Sequence, residues 1–124
     1  MFEEQYSLQF DEYFRFRAVA EMIANMGKKG MSILDVGGKD GTFVKEFLQG
    51  HRGLSVDKTD NIDGTNLPFS DGEFDVVTSI DVLEHVPFNM RPLFIRELIR
   101  VCRLKVFLAF PHSGATGANI VVNS

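Results

Sequence analysis

The chain has 124 residues, of which 44% are hydrophobic and 24% charged, and a formal net charge of −4. That is material for one hydrophobic core, so the expectation is a single folded domain over 1–124 rather than disorder. The acidic balance argues against a phosphate-neutralising surface, and no apolar run reaches the length of a membrane span; the lone Cys102 excludes an internal disulfide.

The opening "MFEEQYSLQF" carries acids where a secretory signal would carry bases, so a cytoplasmic protein without nucleic-acid or membrane partners is expected. Phe10, Phe14, Ala18, Met22 and Met26 recur every fourth residue, with Val19 and Ile23 beside them. This spacing predicts an amphipathic helix, packed along that stripe and closed by "GKKG", within a helical segment 1–30. Arg15 and Arg17, like Arg96, Arg100 and Arg103 later on, read as solvated helix faces.

A core segment, 31–111, begins with "SILDV", a short buried strand that runs into Gly37, Gly38 and Gly41 and then into "TFVKEFL" at helical spacing. "GLSVD" is a second strand ending in an acid, and "FDVVTSI" is a third apolar, β-branched run. In "MRPLFIRELIRVC", Ile95/Ile99 and Leu98/Cys102 fall at helical spacing, with Pro92 in the first turn and Cys102 as a small core residue. "KVFLAF" is a final strand stopped by Pro111, and 112–124 is a tail. Strands without alternation, separated by helices, predict an α/β fold with a mainly parallel sheet covered on both faces, three layers deep. Such doubly wound sheets take ligands at the carboxyl ends of their strands, where the acids and glycines of this chain fall.

Three nucleotide-binding patterns compete for "DVGGKDGTF". A phosphate loop needs Ser or Thr after its Lys, and Asp40 stands there. A dinucleotide fingerprint counted from Gly37 puts Lys39 and Thr42 where glycines belong. The third pattern, acid-x-Gly-x-Gly-x-Gly, is met by Asp35, Gly37 and Gly41, with Lys39 in place of the middle glycine and an extra Gly38 before it. Asp57 then follows Asp35 by 22 residues, and "IDGTNLPFSDGEFDVVTSIDVLEHVP" completes the run.

In this order of motifs, from about Tyr13 to Pro111, the sequence resembles the class I S-adenosylmethionine-dependent methyltransferases of the small-molecule type, a Rossmann-like fold. The resemblance implies S-adenosyl-L-methionine as cofactor. Asp35 and the Gly37/Gly38/Gly41 bend would surround its methionine part, Asp57 would meet the ribose hydroxyls, Asp63 and Gly64 the adenine, and Ser79 and Asp81 the sulfonium. No metal is implied. If the acceptor is a hydroxyl or amine, a base must take its proton, and His85, four residues beyond Asp81, is the candidate, with His112 a weaker one. His85 could equally cap or pack, and His51 lies at the opposite end of the strands.

Two departures from the family stand out. Only nine residues, "KTDNIDGTN", separate Asp57 from Leu67, too few for a crossover helix and a strand, so the third strand is shrunken to "NIDG" or absent. After Pro111 only thirteen residues remain, so the sheet is truncated after the fifth strand of the family's order. Its last strand would be covered by "NIVVN" folding back or by a second copy in a homodimer, or else the chain is a shortened version of a longer protein. The sequence leaves three functions open: methyl transfer to a small-molecule substrate, a non-catalytic cofactor-binding or regulatory partner domain lacking the substrate wall, and a Rossmann-like interaction module that binds no cofactor.

Overall fold

A computed structural model describes residues 2–38, 40–111 and 118–123, with side chains for 12–38 and 40–111. Lys39 and His112 lie outside the described residues.

Four strands run parallel: β1 (Ser32–Val36), β2 (Arg52–Val56), β3 (Phe74–Ile80) and β4 (Cys102–Pro111). A fifth, β5 (Ala118–Asn123), pairs antiparallel with β4, giving the order β2-β1-β3-β4-β5. Helices α1 (Phe2–Ala24) and α2 (Thr42–Phe47) cover one face, and α3 (Arg91–Arg100) covers the other. The strand pleat explains this layering. Ile33, Val76, Phe107 and Ala109 point toward Val19, Ile23 and Phe43 on one side, while Leu34, Val77, Val106 and Leu108 point toward Phe94 and Leu98 on the other. Apolar residues on both sides of the pleat thus build two cores from one sheet, as the unalternating strands predict, with Asp35, Thr78 and Ser79 the polar residues buried among them.

The fold-back of β5 is the first of the two ways foreseen for covering β4. The segment after Asp57 forms a single 3-10 turn, Lys58–Asp60, and "NIDG" is not a strand, so among the described residues the third strand is absent.

Three readings are corrected. The predicted inward stripe on α1 is rotated by one position: Arg15, Val19 and Ile23 are buried, while Phe14 and Met22 are 55% and 37% exposed. The buried line keeps the same four-residue period, but it is anchored by Arg15, which pairs with an acid at the far end of β3. Phe16 follows it inward, its ring 5.4 Å from that of Phe43 and 5.5 Å from that of Phe47.

Cys102 does not continue the helix. α3 stops at Arg100, and Cys102 opens β4 by pairing with Phe74, so sheet extension overrides its helical spacing from Leu98. It is half-buried, and burial pushes its thiol pKa up.

Two of the five arginines read as solvated helix faces, Arg15 and Arg100, are structural. Arg103 is solvated, its side chain 61% exposed, but stands on β4 rather than a helix and pairs with Asp75 at 2.7 Å. Arg100 donates to the Leu67 and Phe69 carbonyls and to Glu97 and Asp71, tying the Leu67–Asp71 loop to α3. Leu67 N–H donates in turn to Glu97, whose carboxyl is held below its ordinary range by Arg100 first and by this bond as well.

Candidate functional site

The carboxyl ends of β1, β2 and β3 open into a cleft of about 680 Å³. This is within the range of small-molecule sites, roughly 300–1,000 Å³. Val36 and Val56, the last residues of β1 and β2, form its base with Ile62, and Val82 and Phe94 form apolar sides. Of the ten predicted site residues, the structure brings six to this cleft: Gly37, Asp57, Asp63, Gly64, Asp81 and His85.

Each arrives for a local reason. Asp57 follows β2 and caps the Lys58–Asp60 turn, accepting from Thr59 N–H at 2.8 Å, while Asp60 accepts from the Asp57 N–H at 2.9 Å. Asp63 accepts from the Thr65 N–H and hydroxyl at 2.9 and 2.8 Å, an Asx turn, and those two bonds hold its pKa below the usual carboxylate value. Both acids therefore serve as turn formers and also border the cleft. Gly64 lies against the Phe94 ring, where a Cβ would come within 2.6 Å of Cε1. Gly37 has φ +89° and donates its N–H to the Val56 carbonyl at 2.7 Å, locking the first bend onto β2.

Asp81 follows β3 with φ +62°, uncommon for a residue with a side chain, and its N–H donates to the Ala109 carbonyl at 2.8 Å. From there the chain turns through the 3-10 segments Leu83–His85 and Phe88–Met90, and this wall brings Val82, His85, Val86, Pro87 and Met90 to the cleft. His85 is reached by a 3-10 turn rather than an α-helical one; its side chain is 72% exposed, with Nε2 3.8 Å from a Glu84 oxygen.

The other four predicted residues lie behind the lining. Asp35 is buried on the α1 and α2 side of the sheet and accepts from the Thr78 hydroxyl at 2.8 Å. Burial raises its pKa to about 6, against the smaller opposing effect of that bond. A Cβ on Gly38 would overlap Asp35 Oδ2 and Ser55 Oγ, so the bend closes directly over the buried acid. Gly41 precedes α2 and takes a 2.5 Å bond to the Gly38 carbonyl. Ser79 is fully buried, and its hydroxyl has no hydrogen-bond partner among the described residues.

Residues given no role by the sequence also matter here. Asp40 accepts from the Thr42 hydroxyl at 2.6 Å and from its N–H at 3.1 Å, which lowers the Asp40 pKa and occupies one N–H at the start of α2. Thr78 holds Asp35, and Arg15 grips Asp81. Acceptors two residues ahead of Thr at Asp40, Asp57 and Asp63 repeat an Asp-x-Thr signal that the sequence does show. His51 accepts from the Met31 N–H at 3.1 Å, at the opposite end of β1 from the cleft. Among the described residues no cluster of metal-ligating side chains is found, and no helix is long and apolar enough to cross a membrane.

A family model described as a methyltransferase domain matches residues 10–105. An uncharacterised methyltransferase of Mycobacteroides abscessus is 32% identical over 97 residues, which cover 60% of this chain and 37% of that protein. The chain thus spans little more than a third of that relative, and 35% of a second one from a Mycobacterium species. A crystal structure of a proposed S-adenosyl-L-methionine-dependent methyltransferase from Methanococcus maripaludis superposes with a TM-score of 0.62 at 18% identity, covering 84% of this chain and 62% of that one. Phosphoethanolamine N-methyltransferase 1 of Haemonchus contortus, solved with phosphoethanolamine and S-adenosylhomocysteine, gives 0.59 at 17% identity over 68% of this chain and 23% of that one.

Proposed function

Because the chain belongs to the methyltransferase-domain family, we propose that its cleft binds S-adenosyl-L-methionine and serves methyl transfer to a small-molecule acceptor. The observation that carries this reading is the convergence of Gly37, Asp57, Asp63 and Asp81 on one apolar cleft, although they are drawn from the segments that follow three different strands. The residues fit the group. Val36, Val56, Ile62, Val82 and Phe94 offer apolar surface for a flat base. Asp57 would accept from two ribose hydroxyls at once, a charge-assisted arrangement. Asp63 would accept from the adenine amino group, and Gly64 leaves the ring room to approach. The cofactor would supply a methyl group on a sulfonium, whose sulfur departs as a neutral thioether when the methyl passes to the acceptor, so the chain's task is alignment and exclusion of water. His85, exposed on the wall, would take a proton from a hydroxyl or amine acceptor.

Calorimetric titration with the cofactor tests the reading: binding in the micromolar range is expected, and no heat and no thermal shift at millimolar cofactor would remove it. Asp57→Asn sharpens the test, since Asn still caps the following turn but loses the charge. The expected result is about tenfold weaker cofactor binding with a melting temperature close to that of the parent protein. Unchanged affinity would reassign Asp57 to the turn alone.

A further inference from the structure

Arg15 stands 66 residues from Asp81 in sequence, yet its Nε and Nη2 donate to Asp81 Oδ1 and Oδ2 at 2.5 and 2.8 Å. The guanidinium is buried, with its side chain 8% exposed, and that of Asp81 is 18% exposed. This bidentate pair is the strong form of the interaction and fixes orientation as well as distance. It lands on a residue whose backbone is left-handed, a conformation that costs energy without glycine and is held only when its surroundings enforce it.

Two constraints meet at Asp81: β4 fixes its backbone through the Ala109 carbonyl, and α1 fixes its side chain. The direction in which the chain leaves this residue sets the course of Val82, His85, Val86 and Met90, the wall of the cleft. The far end of the wall is held by a second arginine, as Arg91 donates to the Val86 and Glu84 carbonyls at 3.0 and 3.4 Å. Arg15 itself does not line the cleft.

We infer that Arg15 is a positioning residue for the cleft: its grip on the Asp81 carboxylate sets the turn from which the wall departs, so that ligand binding depends on the docking of α1. The inference rests on the reading of this cleft as the cofactor site, and its test has a ligand-free arm. In Arg15→Gln without ligand, the His85 and Val86 amides, which close the wall turn onto the Val82 and Leu83 carbonyls, should exchange with deuterium at least tenfold faster. The amides of β1 should keep their protection. Cofactor titration forms the second arm. Arg15→Gln, Asp81→Gly and the double variant should all bind about tenfold more weakly than the parent, with no added loss in the double variant.

Asp81→Gly accepts the left-handed backbone without strain, so it remains informative if Arg15→Gln does not fold. Unchanged exchange at His85 and Val86, loss of protection throughout the sheet, or single-variant effects that multiply in the double variant would each overturn the inference. If the parent protein takes up no cofactor, the proposed function fails, and the exchange result alone decides the role of Arg15.

Discussion

Replacing Gly37 with alanine should both destabilise the protein and abolish most cofactor binding. The two effects share one cause. At φ +89° a residue with a Cβ meets its own carbonyl, at a cost of about 1–2 kcal/mol. The added methyl would also overlap Val82 Cγ2, a stiff β-branched side chain on the opposite wall. Relief requires moving either the bend, which is locked to the Val56 carbonyl, or the wall, which leaves Asp81 in a fixed direction. Overpacking of this kind costs about 1–3 kcal/mol, so a total of about 2–5 kcal/mol is expected in chemical denaturation. Because Gly37 and Val82 both line the cleft, cofactor affinity should fall by more than about tenfold, since either movement displaces a lining residue. Gly72 provides the control. It also has positive φ, but a Cβ there meets nothing within 4 Å, so Gly72→Ala should show the backbone cost without the loss of binding. Equal binding losses in the two variants would mean that the bend does not shape the site.

The contrast between these glycines marks what a sequence can convey. β1 and β3 were legible because "SILDV" and "FDVVTSI" are short, hold apolar residues at adjacent positions and are rich in β-branched residues, as strands of a sheet covered on both faces are. The missing third strand was legible by counting, since nine residues cannot make a crossover. The acids at strand ends were legible as turn formers and as cleft residues, and Asp57 and Asp63 hold both positions in the fold.

What escaped was nonlocal. The face of α1 that turns inward is decided by Arg15 meeting Asp81, and no periodicity within the helix carries that information. The start of β4 at Cys102 was hidden for a related reason: Leu98 and Cys102 satisfy helical spacing, but pairing with Phe74 draws the residue into the sheet. Asp81 and His85 were legible as residues following β3, but the 3-10 course that joins them starts from the backbone at Asp81, where an aspartate holds a conformation usually left to glycine. Local signals specify elements; the site depends on pairs of residues that only the folded chain brings together.

Asp35 should make stability fall as pH rises through the weakly acidic range. Its carboxyl has an ordinary value of 3.8 and is raised to about 6 in the fold, chiefly by burial. Between those values the folded protein holds a proton that the unfolded chain has released, so the unfolded state binds fewer protons and stability decreases with pH. The stabilisation is fully present below about pH 4 and is lost once pH exceeds about 6, a difference of about 3 kcal/mol. Asp40, Asp63, Asp75 and Glu97, whose values are lowered, act with the opposite sign and at lower pH, so the window belongs to Asp35. Asp35→Asn keeps an acceptor for the Thr78 hydroxyl and removes the titration. Denaturation of the two proteins from pH 4 to 8 should show the variant gaining on the parent across this window and levelling off above it; a constant difference would place the Asp35 pKa elsewhere. An acid that weakens the fold near neutral pH, directly behind the glycine bend, has a physical use if the ligand is cationic there. A sulfonium and an ammonium group brought to the bend would favour the ionised carboxylate, so cofactor affinity should rise with pH through about 6 in the parent and stay flat in Asp35→Asn. Parallel pH profiles in the two proteins would separate the buried acid from the ligand and leave it as a feature of the fold alone.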